Sequence, residues 1–409
     1  MAVFVKYQDD LTSGKKVVLG LQHMFTMFGA TVLVPIITGL DISVALFMSG
    51  VCTLWFHLVT KGLVPIYLGS SFSFITPIIM VTMLYGKEFA QGGIVISGLV
   101  YIVVAILVFF FGPARVISFF PPIVTGPIII CIGLMLAPVA INNASENWLL
   151  AGISFLTVAG ISIYARGFLK VLPVLCGLLV GYILAVITGN VDFSSIREAA
   201  WIGLPNFTVA RFNMGAIMIV APVAIATVVE HIGDMVSIKA LTGNDPMKNP
   251  GLHRTLLGDG VASSISAIFG GPANTSYSEN TGVLAITRVF NPVVMRFAAC
   301  FAILLGFVPK LGAAIQTIPG SVIGGISIVL FGMIASVGAR NLVENKVDFK
   351  MSRNLIIFAV VMVLGLGLQL IERGWEADGP IRILSLSPLA FAAIVGIILN
   401  KILPEKSES

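Results

Sequence analysis

Apolar runs of about 20 residues recur from one end of this 409-residue chain to the other. A run of that length, wound as a helix, crosses a hydrocarbon core of roughly 30 Å. In lipid every backbone N–H and C=O must find its partner within the protein, so such runs are expected to be helices. Barrel strands would be shorter and would alternate apolar with polar residues, and that pattern is absent from the sequence. Composition agrees: 57% of the residues are apolar and 11% are charged, against roughly 25% charged in soluble domains. The net charge of +5 does not point to nucleic acid, because the basic residues are spread over short loops and form no stripe. Cys52, Cys131, Cys176 and Cys300 lie in apolar runs without CxxC spacing and read as small hydrophobes. The first run follows Lys15 and Lys16 but continues too far for a cleaved leader and lacks a small-residue cleavage site.

About 14 spans are expected, near 17–38, 43–60, 66–84, 92–111, 119–140, 148–165, 168–188, 212–236, 254–269, 274–290, 293–309, 316–338, 353–372 and 383–402. With the N-terminus in the cytoplasm, 18 of the 24 basic residues fall on the inner side. Lys87, Arg197, Arg211, Lys310, Arg373 and Arg382 fall on the outer side. This asymmetry follows the positive-inside rule and puts both termini in the cytoplasm. Trp148, Trp201 and Trp375 then lie at outer span ends, as an interfacial aromatic belt would place them.

The two halves echo one another. Phe120-Pro121-Pro122-Ile123-Val124-Thr125-Gly126-Pro127 reads like Ile318-Pro319-Gly320-Ser321-Val322-Ile323-Gly324-Gly325. Ser70-Ser71-Phe72-Ser73-Phe74-Ile75-Thr76 reads like Thr275-Ser276-Tyr277-Ser278-Glu279-Asn280-Thr281. Seven spans per half is odd, so the second half enters the membrane from the opposite side. The expected fold is therefore all-α and polytopic, with two inverted seven-helix repeats.

The third and tenth spans are poor in helix formers: Gly69 to Phe74, and Gly270-Gly271-Pro272-Ala273-Asn274-Thr275-Ser276 onward. Extended backbone at membrane depth is tolerated where protein or a cavity covers it. Its freed N–H groups and the half-helix N-termini become ligand donors. Four acidic residues fall within spans: Glu230, Asp234, Asp259 and Glu279. Ionisable groups there are costly and point to function. Glu230 and Asp234 are i,i+4 and share a helix face, so they can share a proton. Asp234 also reads as a cap or solvated residue near the helix end. Asp259, between Gly258 and Gly260, reads equally as structural or coupling-related. His231 points about 100° away from Glu230. His23 reads as a packing residue, and neither His57 nor His253 claims a role. Glu230-His231 lacks the second histidine of HExxH, and no P-loop or GxSxG motif occurs. No metal, cofactor or enzymatic activity is expected.

Carboxylates repel anions, and no intramembrane Arg or Lys offsets these. A neutral planar ligand with N–H donors suits Glu230 and Glu279, backbone N–H groups suit its carbonyls, and Phe72 and Tyr277 suit a ring face. Uracil, other pyrimidines, purines and similar cyclic amides all meet that description.

Several stretches together resemble one family. They are Gln22-His23-Met24-Phe25-Thr26-Met27-Phe28-Gly29-Ala30-Thr31-Val32-Leu33-Val34-Pro35, Tyr67-Leu68-Gly69-Ser70-Ser71-Phe72-Ser73-Phe74-Ile75, Glu230-His231-Ile232-Gly233, Pro250-Gly251-Leu252-His253-Arg254, and Asn274 through Val283. They resemble the nucleobase–cation symporters, also called nucleobase–ascorbate transporters, and within them the bacterial uracil permeases. The resemblance covers nearly the whole chain. It implies proton-coupled import of uracil by alternating access across the bacterial inner membrane. It implies a core domain (17–111 and 212–310) and a gate domain (112–190 and 311–402), flanked by cytoplasmic segments 1–16 and 403–409. Short antiparallel strands in spans three and ten would frame the substrate, and two copies would dimerise through the gate. By resemblance, Glu230 and Glu279 accept hydrogen bonds from the base, and Phe72, Tyr277 and the Ser278 backbone complete the pocket. Glu230, Asp234 and Asp259 are the coupling candidates. Glu279 matches the uracil branch, whereas the xanthine and urate branch typically carries Gln there. Two positions depart from the pattern: Asp234 replaces a familiar His, and Phe331 a familiar Tyr. The alternatives in transport are a purine or broad pyrimidine permease and an uncoupled facilitator.

Overall fold

The computed structural model describes residues 11–374 and 388–404. Trp375, Arg382, the beginning of the last expected span and the outermost parts of both termini lie outside the described residues. The chain is mostly helical. The first half holds α1 (Ser13–Thr38), α2 (Ile42–Val59), β1 (Leu68–Ser70), α3 (Ile75–Leu84), α4 (Lys87–Phe111), α5 (Pro113–Ile117), α6 (Pro122–Met135), α7 (Ala137–Ser145), α8 (Trp148–Tyr164) and α9 (Pro173–Ile187). After α10 (Ser194–Glu198) come α11 (Met214–Val220), α12 (Val223–Thr242), α13 (Leu252–Ile268), β2 (Asn274–Ser276), α14 (Ser278–Thr287) and α15 (Pro292–Gly306). The chain continues through α16 (Pro309–Gln316), α17 (Gly320–Glu344), α18 (Ser352–Gly374) and α19 (Pro388–Ile402). Among the described residues, six helices are long and apolar enough to cross a membrane, seven if the bent pair α15–α16 is one span. The remaining apolar helices are shorter, as expected where Gly, Pro and polar residues interrupt the runs.

The helices pack in reciprocal pairs. α4 lies along α13, and α2 lies along α15. α17 packs on α6, α7 and α8, and α18 packs on α6 and α19. Small residues allow the closest contacts. A Cβ on Gly98 would meet the Gly260 carbonyl at 2.3 Å, and one on Gly260 would meet that of Gly98 at 2.7 Å. Glycine at both positions lets α4 and α13 touch backbone to backbone.

Basic residues gather at the two ends of the bundle. Lys87 donates to the Gly39 carbonyl, the Arg211 N–H donates to the Glu88 carbonyl, and Lys310 sits over the Trp201 ring. At the other end Arg254 donates to the Val59 carbonyl, and Arg296 reaches His57. Lys87, Arg211, Lys310 and Trp201 are all residues expected on the outer side.

Candidate functional site

The two irregular segments meet. β1 pairs antiparallel with β2, with Leu68 opposite Ser276, Gly69 opposite Thr275 and Ser70 opposite Asn274. The ladder is extended by Ser71 N–H to the Ala273 carbonyl (2.9 Å) and Tyr277 N–H to the Tyr67 carbonyl (3.0 Å). Such a short sheet leaves edge groups that lipid cannot satisfy, and neighbouring side chains take them up. Thr53 accepts from the Leu68 N–H (2.9 Å), and Ser263 accepts from the Asn274 N–H (3.1 Å). Ser266 donates to the Pro272 carbonyl, Gln91 to that of Gly270 and Ser70 to that of Thr31. The strands stand inside the membrane-spanning body because polar side chains from α1, α2, α4 and α13 surround them.

Each strand runs into a half-helix: β1 through a 3-10 turn (Phe72–Phe74) into α3, and β2 into α14. Neither N-terminus has a side-chain cap. The first-turn N–H groups of a helix have no partner within it, so these two ends offer donors and positive partial charge to a ligand.

The expected site residues fall around these ends. Glu230 lies on α12 and is exposed, and Ser73 donates to its Oε2 (3.3 Å). Ser278 is exposed, while Glu279 and Phe72 are half-buried. Ser278, the neighbour of Glu279, hydrogen-bonds to Asp234, one turn on from Glu230. The exposure continues along α12 through Gly233 and Ser237 toward the end that carries Lys239. One exposed face of α12 therefore runs from Glu230 to that end. On the other side of Ser73, Thr76, Met80, Ile132, Met135, Ile219 and Leu389 line a small apolar crevice.

Other placements change the picture. Asp234 is neither solvated nor a cap: it is buried, and its Oδ1 accepts from the Ser278 hydroxyl at 2.9 Å. The helix reaches far enough beyond it, to Thr242, to keep it inside. The Tyr277 ring covers Gly69, and its hydroxyl donates to the Ser70 carbonyl (3.0 Å). That ring is committed to the strand pair. Phe331 is buried in the core. Asp259 is buried, whereas Glu230 is exposed. Asp259 pairs with His231, Nδ1 to Oδ2 at 2.8 Å. His23 is buried and is held by the Asn280 side chain at 3.2 Å.

Sequence reading missed two participants, Ser73 and His231. The signal for His231 was present: one residue after Glu230 on a helix, it must face a different neighbour, and that neighbour is α13. Among the described residues no cluster of His, Cys, Asp and Glu can hold a metal ion.

A match to the Permease family covers residues 14–373. The uracil permease of Bacillus caldolyticus is 44% identical over 419 residues, covering 98% of this chain and 95% of that protein. The uracil permease of Bacillus subtilis is 42% identical over 423 residues, again 98% and 95%. Among solved structures, the transmembrane domain of a cyanobacterial bicarbonate transporter, BicA, superposes with a TM-score of 0.66 at 15% identity, over 88% of this chain and 97% of that one. That likeness is one of fold, since side chains at so low an identity need not correspond. The paired broken spans, the carboxylates around them and a family match running nearly end to end agree: this chain is a multi-pass membrane protein of the Permease family, a transporter rather than an enzyme.

Proposed function

We propose that this protein imports uracil together with a proton, by alternating access of a core domain against a gate domain. The observation that carries the reading is Glu230, an exposed carboxylate hydrogen-bonded to Ser73 before α3 and one turn from Asp234, which holds Ser278 at the uncapped start of α14. Uracil has N–H donors for Glu230 and Glu279, carbonyls for the first-turn N–H groups of α3 and α14, and a flat face for Phe72. Ser278 contributes its backbone, and Tyr277 shapes the floor by holding the strand pair. A carboxylate site disfavours anions, so the likeness of fold to a bicarbonate transporter does not carry over to substrate. The uracil permeases among the relatives favour the same ligand.

Coupling rests on the α12 carboxylates. Moving an ionised side chain across a low-dielectric barrier is costly. A proton on Glu230, or shared with Asp234 one turn on, lets the loaded carrier reorient without a bare charge. Asp259 is a further candidate, set back behind β2. We infer fourteen spans in two inverted sevens, with α1–α4 and α11–α15 forming the core and α6–α9 and α17–α19 the gate. The reciprocal packing of α4 with α13 and of α2 with α15 supports this inference, since inversion exchanges those pairs. Cytoplasmic termini, residence in the bacterial inner membrane among its lipids and a homodimer through the gate complete the proposal.

Uptake of labelled uracil should collapse with a protonophore; accumulation that survives loss of the proton gradient removes the coupling, and flux that never concentrates uracil makes the chain a facilitator. Glu279→Gln should impair uracil far more than xanthine. Equal loss for both bases removes the selectivity argument and leaves a purine or broad pyrimidine permease.

A further inference from the structure

His231, Asp259 and Ser276 form a buried polar cluster of which proton coupling draws on Asp259 alone, as a candidate carrier. His231 Nδ1 lies 2.8 Å from Asp259 Oδ2 and 3.1 Å from Ser276 Oγ, and Ser276 Oγ lies 3.4 Å from the same carboxylate oxygen. All three residues are buried. Among protein atoms, His231 Nε2 and Asp259 Oδ1 have no hydrogen-bond partner. A buried pair with atoms left over is a poor device for stability and a better one for specifying geometry.

The geometry it specifies is that of the ligand site. α13 is fixed between its neighbours: a Cβ at Gly258 would strike the Phe56 ring, and one at Gly260 would strike Tyr101 and the Gly98 carbonyl. Asp259, between these glycines, projects from an anchored helix. Through His231 it reaches α12, one residue after Glu230. Through Ser276 it reaches β2, two residues before Ser278 and three before Glu279. A second tie lies beside it, Ser278 Oγ to Asp234 Oδ1 at 2.9 Å. α12 thus holds the strand-to-helix junction at two points, from His231 and from Asp234. These are i,i+3 on one helix and lie on the same face.

We propose that His231 is a positioning residue: with Asp259 and Ser276 it sets the distance between Glu230 on α12 and Glu279 on α14. This rests on those two glutamates binding the base. The test measures uracil affinity of the purified full chain by calorimetry for His231→Ala, Asp259→Asn, Glu279→Ala, and each of the first two combined with Glu279→Ala. Folding is monitored by size exclusion and thermal unfolding. Asp259→Asn keeps the shape and an accepting oxygen should His231→Ala fail to fold.

Each of the two cluster variants should weaken uracil about 10-fold or more, and neither should weaken it further once Glu279 is Ala, because residues acting through one another are non-additive. Full, independent losses in the Glu279→Ala background make the cluster merely structural and overturn the proposal. So does unchanged affinity in a folded Asp259→Asn or His231→Ala protein. If Glu279→Ala alone leaves affinity intact, the site reading itself fails, and the two failures are told apart by that one variant.

Discussion

The segments around β1 and β2 occupy matching places in the fold, yet they carry different chemistry. Each is a three-residue strand leading into an uncapped half-helix of ten residues. The first, Leu68 to Phe74, is uncharged and brings hydroxyls and aromatic rings. The second, Asn274 to Asn280, brings a carboxylate and two carboxamides. The two segments share their backbone form, whereas carboxyl and amide groups are concentrated in the second and in α12 beside it.

If the asymmetry is right, the largest effect lies in the second segment. Glu279→Ala should lower uracil affinity by about 10- to 150-fold, since losing hydrogen bonds to a charged group costs about 1.5–3 kcal/mol; calorimetry on the purified protein measures it. Next comes the point where the segments touch. A Cβ at Gly69 would lie 2.4 Å from the Tyr277 ring, so Gly69→Ala should destabilise by about 1–3 kcal/mol through overpacking. A thermal unfolding scan with no drop in midpoint contradicts the packing described. Phe72→Ala should cost less than the glutamate, about 0.5–1.5 kcal/mol beyond lost area if its ring stacks on the base. A loss as large as that of Glu279→Ala would put the two segments on an equal footing and break the comparison. Smallest is Ser73→Ala, which removes one 3.3 Å hydrogen bond to Glu230. With the exposed carboxylate free to take water instead, uptake should fall by only a few-fold.

How far each part could be read in advance follows from how local its cause is. The interrupted spans were legible because Gly, Pro, Ser and Asn disfavour helix wherever they cluster. Their pairing was not legible from the residues alone, because it depends on contacts about 200 residues apart in the chain; only the resemblance implied it. Glu230 and Glu279 stood out as carboxylates in apolar surroundings. The Tyr277 ring looked equally available for a ligand, and only the approach of Gly69 shows where it packs. Asp234 looked close to a helix end, and only the Ser278 hydroxyl shows it inside.

The sequence by itself determined that this chain lives in a membrane as helices, and that two of its spans break. Both follow from solvation of the backbone and from local propensity, which need no knowledge of the rest of the fold. Tertiary structure alone decided which side the histidine after Glu230 faces, what holds the broken strands, and which of the four intramembrane carboxylates are buried. Those outcomes depend on which helices lie side by side, and a pair such as His231 and Asp259 leaves no pattern in the chain until α12 and α13 meet.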